Sequence, residues 1–171
     1  DLLQRKSDRS EDDKKAFARM RRTVEDMEGL IETLLLLARG EEVERIHEIR
    51  CLNDLVPGFV EQLAPMAADR GLDLSIDEQA QLWVKSPSRV IQIILTNLLR
   101  NAINYTQQGS VVVRIRENTI SVIDTGIGMS PEELQHAFEP FYRGERSRAS
   151  SMGHGLGLSI VRRLVHQFDW P

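Results

Sequence analysis

The stretch from Ser86 to Tyr105, SPSRVIQIILTNLLRNAINY, constrains this chain more than any other. Ser86 is placed to cap a helix, and Pro87 suits a first helical position, where no N–H is needed. Val90, Ile91, Ile94, Leu95, Leu98, Ala102 and Ile103 then recur at helical spacing and build a wide apolar face. Within that pattern runs a polar stripe of Asn97, Asn101, Asn104 and Tyr105, with the three asparagines four and three residues apart on one side of the helix. Asparagine is a mediocre helix former, so propensity does not explain three of them. The stripe is either a solvated edge or a row of amides turned toward a ligand. An amide oxygen suits a hard cation such as Mg²⁺.

The rest of the chain supplies one globular domain and one extra element. Its 171 residues are 41% hydrophobic and 28% charged, enough for a core. A net charge of −4 gives no electrostatic case for nucleic acid. A single cysteine, Cys51, excludes an internal disulfide framework and, beside Ile49 and Leu52, reads as a small core residue. No apolar run reaches membrane-spanning length, and the first residues are not a signal peptide.

In chain order, Ser10-Glu-Asp-Asp13 forms a capping box. Phe17, Met20, Val24, Met27, Ile31, Leu34 and Ala38 follow at alternating spacings of three and four, a heptad seam on an otherwise charged helix that points to self-association. Residues 41–51 are a connector with a short strand near its end. A second helix is expected from Leu52 to Arg70, capped by Asn53, perturbed at Pro65 and ended by Gly71. Leu72, Leu74 and Ile76 alternate with polar residues as a half-buried strand, and Leu82-Trp83-Val84 is a short one. After the asparagine helix, Ser110–Arg116 and Thr119–Asp124 read as a hairpin through Glu117-Asn118. Ser130-Pro-Glu-Glu133 starts a short helix, and Gly153-His-Gly-Leu-Gly157 opens a last one from Leu158 to about Gln167. The expected fold is α+β: a two-layer α/β sandwich, a mixed sheet covered by helices on one face, preceded by a long dimerisation helix.

Three further features carry chemistry. Asp124 ends what reads as a buried strand, before Gly126 and Gly128, which permit positive φ and close ligand approach. A carboxylate there accepts only, as an exocyclic amine such as that of adenine requires; equally, Asp-x-Gly is a common Asx turn. Gly153, Gly155 and Gly157 precede a helix, so their N–H groups and the helix N-terminus suit an anion. The loop is no dinucleotide fingerprint, because no strand precedes it. Between Phe138-Glu-Pro-Phe-Tyr-Arg143 and these glycines lies a small, polar stretch, Gly144 to Met152.

Taken in order, N97LLRN101, D124TGIG128, F138EPFYR143 and G153HGLG157 resemble the catalytic ATP-binding domain of sensor histidine kinases, within the wider GHKL ATPase group. The resemblance spans Leu52 to about Gln167. It implies a domain division of 1–40 as part of the dimerisation and histidine-phosphotransfer hairpin, 41–51 as linker and first strand, and 52–171 as the ATP-binding domain without its last strands. Asn97 and Asn101 would be catalytic, with Asn101 on Mg²⁺. ATP would further meet Asn104, Tyr105, Asp124, Gly126, Gly128, Phe138, Phe141, Arg143, Gly153, His154, Gly155, Leu156 and Gly157. Phe138 and Phe141 would anchor a lid over about Arg143 to His154, where Arg146 and Arg148 are further candidates for phosphate charge. Asn104 departs from the Lys or Arg of many relatives. Relatives of the hydrolysing branch carry Glu where Asn97 stands, and Asn cannot take a proton from water.

The implied activity is transfer of the ATP γ-phosphate to a hairpin histidine, then relay to a response-regulator receiver. The acceptor is expected upstream of this chain, since His47-Glu-Ile-Arg50 follows the hairpin helix. The implied partners are a second copy, through the helix at 10–40, and the receiver domain. Membrane attachment would come only through segments outside this chain, leaving it the cytoplasmic portion of a bacterial inner-membrane sensor. The alternatives are a nucleotide-binding regulatory or dimerisation module without transfer, and another GHKL ATPase.

Overall fold

The computed structural model describes residues 49–144 and 155–170, together with Asp13, Ala16, Phe17, Met20, Val24, Met27 and Ile31. The chain divides into two compact units, Asp1–Arg39 and Gly40–Pro171. In the first, the seven described positions are all helical. Phe17, Met20, Val24, Met27 and Ile31 are 53–71% exposed, so the apolar seam is open to solvent at its described positions. Leu34 and Ala38 of that seam lie outside the described residues, as does His47.

The second unit runs β1 (Ile49–Cys51), α1 (Leu52–Ala68), β2 (Asp73–Glu78), β3 (Trp83–Lys85), α2 (Ser88–Tyr105), β4 (Ser110–Arg116), β5 (Thr119–Asp124), α3 (Pro131–His136) and α4 (Gly157–Gln167). β2, β4 and β5 form one sheet in that order, β2 parallel and β5 antiparallel to β4. β1 and β3 form a separate antiparallel ribbon. The mixed sheet is therefore as expected, and the hairpin turns at Glu117-Asn118, with Arg116 opposite Thr119.

Pleating decides which face is covered. Val111, Val113 and Ile115 are fully buried and alternate with half-buried Val112 and Arg114. The register places Leu74, Ile76, Ile120 and Val122 beside the buried set, and all pack with α1 and α2. The other face carries an Asp77–Arg114 ion pair of 2.7 Å and exposed Ile123. α2 is the central helix of the core. Ile91, Leu95, Leu99, Ala102 and Ile103 share one core cluster with the sheet, and Ile160, Val161 and Leu164 of α4 are also buried. Leu99 belongs to this core, whereas Leu98 is only half-buried.

Several boundaries differ from expectation, each for a local reason. α2 starts at Ser88, not Ser86, because Pro87 at ψ 134 is its N-cap and its carbonyl accepts from Val90 and Ile91 N–H. Ser86 is fully buried, and its hydroxyl donates to the Pro87 carbonyl instead of capping the helix. α1 is preceded by Cys51 as N-cap, with no side-chain cap. Asn53 is not the cap, because its amide is spent across the fold, accepting from Leu82 N–H at 3.1 Å and donating to the Ala80 carbonyl at 3.1 Å. Pro65 stays inside α1, and Gly71 at φ 67 reverses the chain into β2. Trp83 is an edge aromatic, 58% exposed. The capping box at Ser130 and Glu133 is present in full. Among the described residues, no helix is long and apolar enough to cross a membrane.

Candidate nucleotide site

One wall of the site is the polar stripe of α2. Asn97 Nδ2 donates to the Ile93 carbonyl at 2.8 Å, one turn back. That bond fixes the amide and leaves Oδ1 directed at the first residue of α4. A Cβ at Gly157 would lie 2.9 Å from Asn97 Oδ1 and 3.5 Å from Asn101 Nδ2. A glycine lets the N-terminus of α4 come this close without displacing the Asn97 amide. The positive N-terminal end of α4 thus lies directly beside two neutral amides, a combination suited to an anion with its counter-cation bound alongside. α4 is held against α2 by its apolar face, and its first turn is braced by Ser159, whose hydroxyl donates to the Leu156 carbonyl at 2.8 Å.

The second wall is the end of β5. Asp124 pairs opposite Val111, so it falls on the helix-covered face of the sheet. It is nonetheless exposed, which corrects the expectation of a buried strand end: β5 is the sheet's edge, and its last two residues are open to solvent. Asp124 Oδ1 accepts from Gly126 N–H at 2.9 Å, an Asx turn that fixes the carboxylate's direction. Gly126 is obligatory here, since a Cβ would stand 2.5 Å from the Tyr105 carbonyl oxygen. That carbonyl accepts from Ile127 N–H at 3.2 Å, tying the glycine loop to the end of α2. Tyr105 is half-buried at this junction, and Gly128 takes φ 63 as the loop leaves it.

The third element is the base of the lid. Phe138 is 37% and Phe141 74% exposed, so Phe141 does not anchor by burying its ring. The tie is made by its backbone: Phe141 N–H donates to the Gly155 carbonyl at 2.9 Å. Phe141 has φ 64 and Gly155 φ 72, and a Cβ on Gly155 would stand 2.5 Å from the Tyr142 carbonyl oxygen. The two motifs are thus one strap, closed at both roots of the expected lid. Sequence reasoning missed this bond; it gave Glu133 as the capping-box residue but not its approach to Gly144. One oxygen of that carboxylate accepts from Ser130 N–H at 2.9 Å, while the other lies where a side chain on Gly144 would be. Next to it, Glu132 is held below its ordinary carboxyl range by its own backbone N–H and by the Ser130 hydroxyl. Arg143 is half-buried at the first root. Residues 145–154, including Arg146, Arg148, Gly153 and His154, lie outside the described residues.

Asn104 shares the stripe with Asn97 and Asn101, and its carbonyl and Oδ1 accept from the guanidinium of Arg70, at 3.3 and 3.4 Å. Among the described residues, no group of three or more His, Cys, Asp or Glu could hold a metal. A cation here would depend on amide oxygen and on ligand oxygens, which suits Mg²⁺ bound with a polyphosphate.

Residues 87–170 match the family described as histidine kinase-, DNA gyrase B- and HSP90-like ATPase. The chain is 37% identical over 142 residues to the sensor histidine kinase RppB of Synechocystis sp., covering 78% of this chain and 31% of that protein. It is 34% identical over 168 residues to the sensor protein kinase PmrB of Pseudomonas aeruginosa, covering 92% of this chain and 35% of that protein. The chain therefore spans about a third of the length of these relatives. In fold it is similar to a mycobacterial sensor histidine kinase, MprB (TM-score 0.61, 24% identity, 72% of this chain and 81% of that one). It is also similar to the cytoplasmic segment of the histidine kinase QseC (TM-score 0.60, 22% identity, 84% and 76%). With these matches, residues 87–170 belong to the histidine kinase-, DNA gyrase B- and HSP90-like ATPase family, as a catalytic domain of the sensor histidine kinase type.

Proposed function

We propose that this chain binds Mg·ATP and transfers the γ-phosphoryl group to a histidine on a dimerisation hairpin, for relay to an aspartate of a response-regulator receiver. The observation that carries the proposal is the closure of Asn97 and Asn101 against Gly157 at the N-terminus of α4. Asp124, with Oδ1 held by Gly126 N–H, presents its other oxygen to the adenine amine. Tyr105, Gly126 and Gly128 shape that wall, and Gly155, Leu156 and Gly157 lead the backbone past the phosphates. Asn101 is the Mg²⁺ ligand; the ion, when bound, neutralises charge on the phosphate oxygens. Arg143 and the lid residues Gly153 and His154 exclude water from the phosphates.

Asn97 favours transfer over hydrolysis. Its amide has no proton-accepting carboxylate to offer water, and its Nδ2 is committed to the Ile93 carbonyl. In the transfer, the bond from the γ-phosphorus to the β–γ bridging oxygen breaks and a phosphorus–nitrogen bond to imidazole forms, with ADP leaving.

The exposed seam at Phe17, Met20, Val24, Met27 and Ile31 supports pairing with a second copy, in a division with residues 1–40 as hairpin, 41–51 as linker and 52–171 as ATP-binding domain. The matched relatives are sensor proteins about three times as long. We read this chain as the cytoplasmic part of a membrane-anchored sensor, a reading that the relatives' description as sensors supports. Isothermal titration with Mg·ATP tests the nucleotide reading. Saturable binding that Asn101→Ala weakens supports it, and heatless injections with folded protein overturn it.

A further inference from the structure

The polar stripe of α2 ends on a residue that is gripped by a cation from another element. α1 stops at Ala68, and Gly71 at φ 67 turns the chain into β2, which leaves Arg70 on the turn between them. Its Nη1 donates to the backbone carbonyl of Asn104 and its Nη2 to Asn104 Oδ1. Both acceptors belong to one residue, so the planar fork of the guanidinium is set in register on the stripe. A side chain that met Asn104 only by chance proximity would have no reason to use its two terminal nitrogens on that residue's main chain and side chain together.

The electrostatics give this contact a consequence. α2 has no basic residue in its last turn. Its C-terminal carbonyls carry the negative end of the helix dipole. Asn104 lies one turn beyond Asn101, which faces Gly157, so a polyphosphate seated at Asn101 has this negative end close by. A guanidinium on the Asn104 carbonyl offsets that repulsion and adds a full positive charge. We infer that Arg70, held by Asn104, is the cation on the phosphate side of the nucleotide site and sets its preference for ATP over adenosine.

The inference rests on the nucleotide reading above and is separable from it. A guanidinium serving only as a cap for α2 stabilises the fold equally with any ligand. A phosphate-side cation acts in proportion to phosphate charge. The experiment is titration of adenosine, and of ADP and ATP with Mg²⁺, into the wild-type chain, Arg70→Gln, Arg70→Lys, and Arg70→Gln with Asn104→Lys. Arg70→Gln should weaken ATP by about tenfold, the scale of one lost charge-assisted hydrogen bond, weaken ADP less, and leave adenosine unchanged. Asn104→Lys should restore most of the ATP affinity in that background, because it returns a positive charge to the same end of the stripe. Arg70→Lys should keep the ATP-to-adenosine ratio within a few-fold, and serves as the deciding variant should Arg70→Gln not fold. Equal losses for all three ligands, an unchanged ATP affinity in Arg70→Gln, or a ratio that collapses in Arg70→Lys would overturn the inference. Wild-type protein that binds none of the three would instead overturn the nucleotide reading itself.

Discussion

Replacing Gly157 by alanine should separate stability from nucleotide affinity. The added Cβ would lie 2.9 Å from Asn97 Oδ1, 3.5 Å from Asn101 Nδ2 and 3.7 Å from Asn97 Cγ. The first contact is too short, so the Asn97 amide must swing away. Its 2.8 Å bond to the Ile93 carbonyl opposes that, at a cost of about 0.5–1.5 kcal/mol. Against this, alanine restricts the unfolded chain more than glycine does, which stabilises by about 0.4–1 kcal/mol where the backbone conformation is ordinary. Gly157 does not have a positive φ, so the gain applies, and the two terms nearly cancel. Nucleotide binding has no such compensation. The methyl group stands between the N-terminus of α4 and the two amides, and loss of one charge-assisted hydrogen bond there costs about 1.5–3 kcal/mol, or about 10- to 150-fold in Kd. Thermal unfolding and isothermal titration with Mg·ATP and adenosine read the two quantities. An unchanged unfolding midpoint with weakened ATP and intact adenosine binding is expected. ATP affinity unaltered in folded Gly157→Ala would refute the placement of phosphates beside Asn97, Asn101 and the N-terminus of α4.

Asp124→Asn keeps an oxygen for Gly126 N–H but sets an amide donor against the adenine amine; ATP should weaken by about tenfold and inosine triphosphate much less, read by titration. Equal effects on both nucleotides would remove Asp124 from the base pocket. Phe141→Asn should raise the unfolding free energy read from denaturant titration by about 1 kcal/mol or less, because Asn tolerates the left-handed conformation and little burial is lost with a ring that is 74% exposed. Met27→Glu with Ile31→Glu should yield monomers in sedimentation while ATP affinity stays at its wild-type value. A wild-type chain that already sediments as a monomer would show that the seam does not pair copies.

Local signals in the sequence carried much of this fold. The hairpin at Glu117-Asn118, the capping box at Ser130 and the amphipathic course of α2 each depend on residues a few positions apart. The mixed sheet followed from their order. The features that escaped depend on distant partners. Asn53 reads as a helix cap until Ala80 and Leu82 come to it across the fold. Asp124 reads as buried because Ile120 and Val122 precede it, yet its place at the end of an edge strand leaves it exposed. The bond from Phe141 to Gly155 and the grip of Arg70 on Asn104 have no periodicity or spacing to announce them. Their traces in the sequence are slight: a phenylalanine forced to positive φ, and an arginine immediately before the glycine that ends a helix.

Label transfer from ATP tests the central claim most directly. The chain is incubated with Mg²⁺ and γ-labelled ATP, alone and with a separate protein carrying a dimerisation hairpin and its histidine. Transfer needs an imidazole whose neutral nitrogen reaches the γ-phosphorus near pH 7. His136 is exposed beside Glu139, and His166 lies in the last turn of α4; neither is proposed as a nucleophile. The account predicts no label on the chain alone, and label on the hairpin protein that is lost in acid and kept in base. Acid-labile label on this chain itself, abolished by His47→Ala, would contradict it and make His47-Glu-Ile-Arg50 the acceptor segment.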